Sequence, residues 1–138
     1  MRRELTAAER AYLAEPRFAV LGTTNQNGSP HLTVMWYLLE DDEIMFNTAL
    51  GRRKPDNLSR DPRASLLVTD ADGYRFVRVD GRVRPNDDQA VAQADIRRLA
   101  VRYYDDPARV EGAVADNWSK QHRITYRMRI RSVYSAGL

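Results

Sequence analysis

The stretch Phe18-Ala19-Val20-Leu21-Gly22-Thr23-Thr24-Asn25-Gln26-Asn27-Gly28-Ser29-Pro30-His31 decides the fold class. Its first seven residues read as a strand, and the six that follow are turn formers. Asn27-Gly28 is the hairpin dipeptide, because both residues tolerate positive φ. A second strand resumes at His31 and runs to Leu39 on β-branched and aromatic residues. Glu40-Asp41-Asp42-Glu43 is a polar turn, and Ile44-Met45-Phe46-Asn47-Thr48 is a third strand. Three strands joined by short loops predict an antiparallel meander, with no βαβ rhythm.

Working outward, Thr6-Ala7-Ala8-Glu9 is a capping box that predicts a helix to about Ala14, closed by Pro16. Downstream, Ala49 to Arg60 reads as a loop and a short helix, ended by Asp61-Pro62. Ala64–Thr69 is a fourth strand and Tyr74–Arg84 a long fifth one, in which Gly81 marks a bulge or bend. Asn86 and Asp87 can cap a helix that places Ala92, Ile96, Leu99 and Tyr103 on one face. A further helix is expected over Ala108–Asn117. The last strand alternates, with Ile124, Tyr126, Met128 and Ile130 inward and Arg123, Thr125, Arg127, Arg129 and Arg131 outward. Six strands with short inserted helices predict a mainly β chain, an antiparallel barrel with peripheral helices, in one domain over residues 1–138.

The chain has 138 residues, enough for one core, and 43% of them are hydrophobic while 30% are charged. Cysteine is absent, which removes disulfides, thiol catalysis and Cys-ligated zinc. The two histidines, His31 and His122, match no metal-ligand spacing. No apolar stretch approaches a membrane span, the longest being Val34–Leu39. Met1-Arg2-Arg3-Glu4 is basic but leads into no apolar segment, so no secretory leader is expected and the cytoplasm is the expected compartment. The formal net charge is +3, and the only lysines are Lys54 and Lys120. No basic tail or base-stacking motif accompanies the arginines, so outward strand charge is expected rather than a nucleic-acid surface.

Nucleophile elbows, Walker loops and dinucleotide fingerprints are all missing. Asp41-Asp42 reads as a solvated turn, and His31 and His122 as surface residues. The informative segment is Thr48 to Asn57. Arg52-Arg53-Lys54 stands at the entry to a short helix whose first amides are free, with the Thr48 hydroxyl at the end of the preceding strand. Cations there oppose the helix dipole, a penalty of roughly 0.3–1 kcal/mol each that an anion would relieve. The same cations can equally form a solvated basic turn, and spacing alone does not choose.

Several blocks, taken together, resemble a known family: Gly22-Thr23-Thr24, Asn27 to His31, Trp36-Tyr37, Phe46 to Lys54, Asn57 to Ser65 and Tyr74 to Gly81. They are similar to the pyridoxamine 5'-phosphate oxidase-like, FMN-binding split barrels, and within these to the short F420 (deazaflavin)-dependent reductases. The resemblance covers nearly the whole chain, and Pro55-Asp56 departs from the small and basic pair that the family often carries.

The resemblance implies a six-stranded split barrel acting as a homodimer, with two cofactor sites at the interface. Arg52, Arg53 and Lys54 would hold the cofactor phosphate with help from Thr48, and Asn57 belongs to the same motif. Val34, Met35 and Trp36 would lie along the cofactor ring, and Tyr74 and Phe76 would close the site from the other subunit. Packing in the core or interface is a sufficient alternative reading for the aromatic residues.

The implied activity is an oxidoreductase in which reduced F420 gives a hydride to an electron-poor double bond of a small planar substrate, with no catalytic acid assigned. The alternatives are an FMN-binding oxidoreductase on the same fold and a non-catalytic binder of flavin, haem or a related tetrapyrrole.

Overall fold

The expected second strand, His31–Leu39, is two strands, and the break between them shapes the molecule. In the computed structural model, which describes residues 4–138, β1 (Ala19–Thr24) pairs antiparallel with β2 (Pro30–Met35). The chain then bends at Trp36-Tyr37 and continues as β3 (Leu38–Glu40), which pairs with β4 (Glu43–Ala49). Met1, Arg2 and Arg3, on which the leader reading partly rests, lie outside the described residues.

The remaining strands are β5 (Arg63–Thr69), β6 (Phe76–Asn86) and β7 (Arg123–Ala136). All seven form one antiparallel sheet in the order β2-β1-β5-β6-β7-β4-β3. Its two edge strands, β2 and β3, are thus joined by only two residues. The three Cα–Cα steps from Met35 to Leu38 span about 11 Å at most, so the sheet must curl until its edges lie side by side. This is a split barrel, as expected, with seven strands instead of six. The apolar run through Trp36-Tyr37 hid the corner, because Tyr37 is buried and its hydroxyl donates to the Leu13 carbonyl at 2.9 Å.

Helix α1 (Ala7–Ala14) begins with the predicted capping box, Thr6 accepting from the Glu9 amide and Glu9 accepting from the Thr6 amide. Helix α2 (Arg53–Arg60) follows β4 directly, and α3 (Gln89–Tyr103) and α4 (Pro107–Asp116) lie between β6 and β7. The cap of α3 is Asp88, one residue beyond the expected pair, with its carboxylate accepting from the Ala90 amide. The Asp41 and Asp42 turn has positive φ at both residues, the geometry of a tight hairpin.

Gly81 does mark a bulge, for the β6–β7 register shifts between Asp80 and Gly81. A Cβ there would lie 2.0 Å from the Arg129 carbonyl oxygen, so only glycine fits this crossing. The barrel core joins Leu21, Phe46, Leu66, Val79, Tyr126 and Met128, with Ile130 packed against it. A smaller cluster of Met45, Ile96 and Leu99 fastens α3 to the outside of the barrel. Among the described residues no helix is long and apolar enough to cross a membrane.

Candidate functional site

Strand β4 ends at Ala49, and Gly51, at φ 91, turns the chain into α2. The helix starts on Arg52, whose side chain makes no capping bond, so its first amides are left uncapped. Pro55 in the first turn removes no bond that the helix needs. Arg52 and Arg53 are exposed, whereas Lys54 is only 7% exposed. Among the described residues the Lys54 ammonium has no hydrogen-bond or ion-pair partner. Burial pushes its pKa down, and the neighbouring Arg52 and then Arg123 push it further. Asp56, the acid that departs from the family pattern, pairs with none of these cations. Thr48, one strand residue before the turn, is buried with its hydroxyl oxygen unpaired.

Arg123 is the residue that reading the sequence missed. Strand alternation placed it outward with Arg127, Arg129 and Arg131, and Thr125 beside it. Both Arg123 and Thr125 are instead buried, because α3 packs over this part of the outer face. Arg123 pairs with Ala49 in the β4–β7 ladder, so its backbone lies beside the approach to α2. Its guanidinium donates to Asn47 Oδ1 at 2.9 Å and to Gln121 Oε1 at 2.6 Å, both neutral amides. Burial, then the Arg52 charge, lowers its pKa to about 10. No local sequence pattern marks this residue, since α3 contributes the burial from some thirty residues away.

Four charged residues are buried among those described: Glu9, Lys54, Asp95 and Arg123. Glu9 is satisfied by the capping box and the Ser135 hydroxyl, and Asp95 by Arg98 and Thr125. The other two are cations without an acid. Removing a charge from water without a counter-charge costs several kcal/mol, which a bound anion offsets. A phosphate group fits the chemistry of this end of the barrel, which offers an ammonium, a guanidinium and open helix amides.

Asn57 has a structural duty. Its buried amide donates to Thr23 Oγ1 at 3.0 Å and to Asn25 Oδ1 at 3.1 Å, tying α2 to β1. Val34 sits at the other end of that strand pair, opposite Val20, and is 68% exposed on the outer sheet face. With Phe18 and Val20 it lines an open cavity of about 490 Å³. Met35 turns into the core, and Trp36 stacks on Tyr103 at 5.2 Å with its edges against Tyr104 and Trp118.

Tyr74 lies in the turn before β6, not in the strand as expected, and is 81% exposed. Phe76 opens β6, tilted against Tyr134 at 5.7 Å. The cationic residues therefore gather at one end of the barrel, while Val34 lies about 10 Å further along the strands, three residues from the Thr23 row. A groove of about 590 Å³ on the outer face, lined by Gly22, Ser65, Asp80 and Arg82, contains none of the buried unpaired cations. His122 faces Asp87 across 3.7 Å at the surface. Among the described residues no three acids or histidines are grouped to hold a metal ion.

The sequence profile of the pyridoxamine 5'-phosphate oxidase family matches residues 5–134. A pyridoxine/pyridoxamine 5'-phosphate oxidase of Escherichia fergusonii is 35% identical over 81 residues, 58% of this chain and 37% of that one. The chain thus spans little more than a third of that relative's length. Among solved structures, an F420 reductase superposes with a TM-score of 0.75 at 22% identity, covering 94% of this chain and 98% of that one. A conserved hypothetical protein of Mycobacterium tuberculosis gives 0.73 at 28% identity, covering 96% and 85%. The haem storage protein HutZ of Vibrio cholerae gives 0.72 at 16% identity, covering 100% and 97%, a likeness of fold alone. With its split barrel and a family match over almost its full length, this chain belongs to the pyridoxamine 5'-phosphate oxidase family.

Proposed function

We propose that the protein is an F420-dependent reductase, with FMN as the alternative cofactor on the same fold. The observation that carries this reading is the pair of buried cations without acids, Lys54 and Arg123, at the end of the barrel where β4 leads into α2. Such a site favours a ligand with a phosphate group. Arg52, Arg53 and Lys54 hold that group, Thr48 donates to it, and Asn57 fixes α2 in the position where the amides meet it. Val34, Met35 and Trp36 would lie along the cofactor ring, Val34 through its exposed side chain on the outer face of β2. When bound, the reduced deazaflavin would supply a hydride to an electron-poor double bond of a small planar substrate, with the proton coming from solvent or from a donor not assigned. The protein binds and orients.

The apolar outer face supports a second part of the reading. Phe18, Leu32, Val34, Tyr74 and Tyr134 are all exposed. A second copy of this chain covers them in a homodimer, and Tyr74 and Phe76 of the partner subunit close over the ring. A soluble, cytoplasmic oxidoreductase with no nucleic-acid or membrane partner completes the proposal.

Titration with F420, FMN and haem tests it. Quenching of deazaflavin fluorescence on binding, with a colourless preparation from a host lacking F420, is the expected result. A yellow preparation that retains FMN would shift the assignment to the alternative cofactor. Binding of haem alone, with neither flavin taken up, would overturn the reading in favour of a non-catalytic binder of haem or a related tetrapyrrole.

A further inference from the structure

Arg123 is held in a way that a purely structural arginine does not need. Its backbone amide donates to Gln89 Oε1 at 3.0 Å, and its carbonyl accepts from Gln89 Nε2 at 2.8 Å. Asn47 Nδ2 donates to the Ala92 carbonyl at 2.9 Å and to Thr125 Oγ1 at 3.1 Å, which turns the Asn47 oxygen towards the guanidinium. Three amide side chains, from α3, β4 and the bend before β7, thus fix its position and orientation, yet none of them neutralises it. Five N–H bonds are available on a guanidinium, and Nη2 has no partner among the described residues. The arginine is buried to 3% exposure, on the strand that pairs with the end of β4, four residues before α2 begins.

We propose that Arg123 is a further anion-binding residue, forming with Lys54 and Arg52 a three-cation seat in which β7 supplies the wall opposite α2. The inference rests on the cofactor reading for the identity of the ligand, and on the buried charges alone for the existence of the seat. Its consequence is selectivity. A flavin or deazaflavin carrying a phosphate is preferred over the same ring system without one, and Arg123 supplies much of that preference. Because Gln89 and Ala92 belong to α3, the seat also couples the start of that helix to the bound anion.

The test compares FMN with riboflavin, and F420 with its phosphate-free deazaflavin, on the full-length protein and on Arg123→Gln. Loss of a charge-assisted contact is expected to cut the preference for the phosphate-bearing form by about ten- to hundredfold. Binding of the phosphate-free form should stay unchanged. Equal loss for both forms, with a lower melting temperature in the absence of ligand, means a structural role and overturns the proposal.

Melting in inorganic phosphate against chloride at equal ionic strength gives a second arm. Phosphate should raise the midpoint of the native protein and not that of Arg123→Gln. If no flavin binds but this phosphate effect holds, the seat stands and the cofactor reading falls. If flavins bind with the preference intact in Arg123→Gln, the seat falls and the cofactor reading survives. Should the variant fail to fold, the Arg123 Nε–H resonance of the native protein is followed during phosphate addition. Movement supports the seat, and a stationary signal refutes it.

Discussion

Replacing Lys54 with methionine separates binding from folding, because the two effects have opposite signs. The side chain is 7% exposed and nearly isosteric with methionine, so the change keeps the packing of α2 and removes only the charge. Without ligand, the native protein carries an ammonium that burial, Arg52 and Arg123 all disfavour. Removing it should raise stability by about 0.5–2 kcal/mol, the size of a typical single stabilising substitution. For a chain of this size that is a rise of about 2–8 °C in Tm. Affinity for a phosphate-bearing cofactor should fall by about 1.5–3 kcal/mol, roughly 10- to 150-fold.

The pH dependence follows from the same depressed pKa. Between the folded value and the ordinary 10.5 the unfolded chain binds the proton and the folded chain does not, so stability rises with pH there. The advantage of Lys54→Met over the native protein is therefore full below the folded pKa and disappears as pH climbs towards 10.5. Thermal melts without ligand and a fluorescence titration measure the two effects. A variant that melts lower and binds as tightly as the native protein refutes the argument, because Lys54 would then have been stabilising the fold and not awaiting an anion.

Asn57→Ala should lower stability by about 1–3 kcal/mol, seen as a reduced urea midpoint, because Thr23 Oγ1 and Asn25 lose the donor that ties α2 to β1. Gly81→Ala places a methyl group 2.0 Å from the Arg129 carbonyl, so it should cost more than about 3 kcal/mol or abolish soluble expression. A cleanly folding Gly81→Ala of native stability would contradict the bulge geometry. Hydrogen bonds from Arg127 and, less strongly, Arg98 hold the Glu40 carboxyl below its usual 4.5, and Arg84 does the same for Glu43. Their contribution is present above pH 4.5 and is lost as pH falls through the folded values, so Glu40→Gln should flatten the acid limb of a stability–pH curve.

What the sequence reveals about this fold follows from how local each signal is. The capping box at Thr6 and Glu9, the Asn27-Gly28 turn and the Gly81 bulge are readable because each depends on residues within one turn or one strand crossing. The corner at Trp36-Tyr37 is not. Its residues are as strand-prone as their neighbours, and the bend comes from closing a sheet whose edges are two residues apart. The burial of Arg123 and Thr125 is hidden for the same reason: period-two alternation describes a strand with one solvated face, and α3 removes that condition. In the cationic segment, the three consecutive cations are plain in the sequence. Only burial distinguishes Lys54, which faces inward, from Arg52 and Arg53, which remain in solvent.

The charge pattern as a whole then argues for a site rather than a biased composition. Many of the arginines find acids at the surface, as Arg84 does with Glu43 and Arg63 with Asp61, and such exposed pairs add little to stability. Other cations, including Arg129 and Arg131, stay in water, where no partner is required. Neither explanation reaches Lys54 and Arg123. Both are out of solvent, both lack an acid, and Arg52 lowers the pKa of each. A fold that needed only to be stable would place neutral side chains at these two positions, since apolar replacements of buried charge are often neutral or stabilising. Keeping two repelling cations largely buried is unfavourable unless a charge of opposite sign joins them, so on the proposed reading the stability forgone in the free protein would be returned as affinity for an anion.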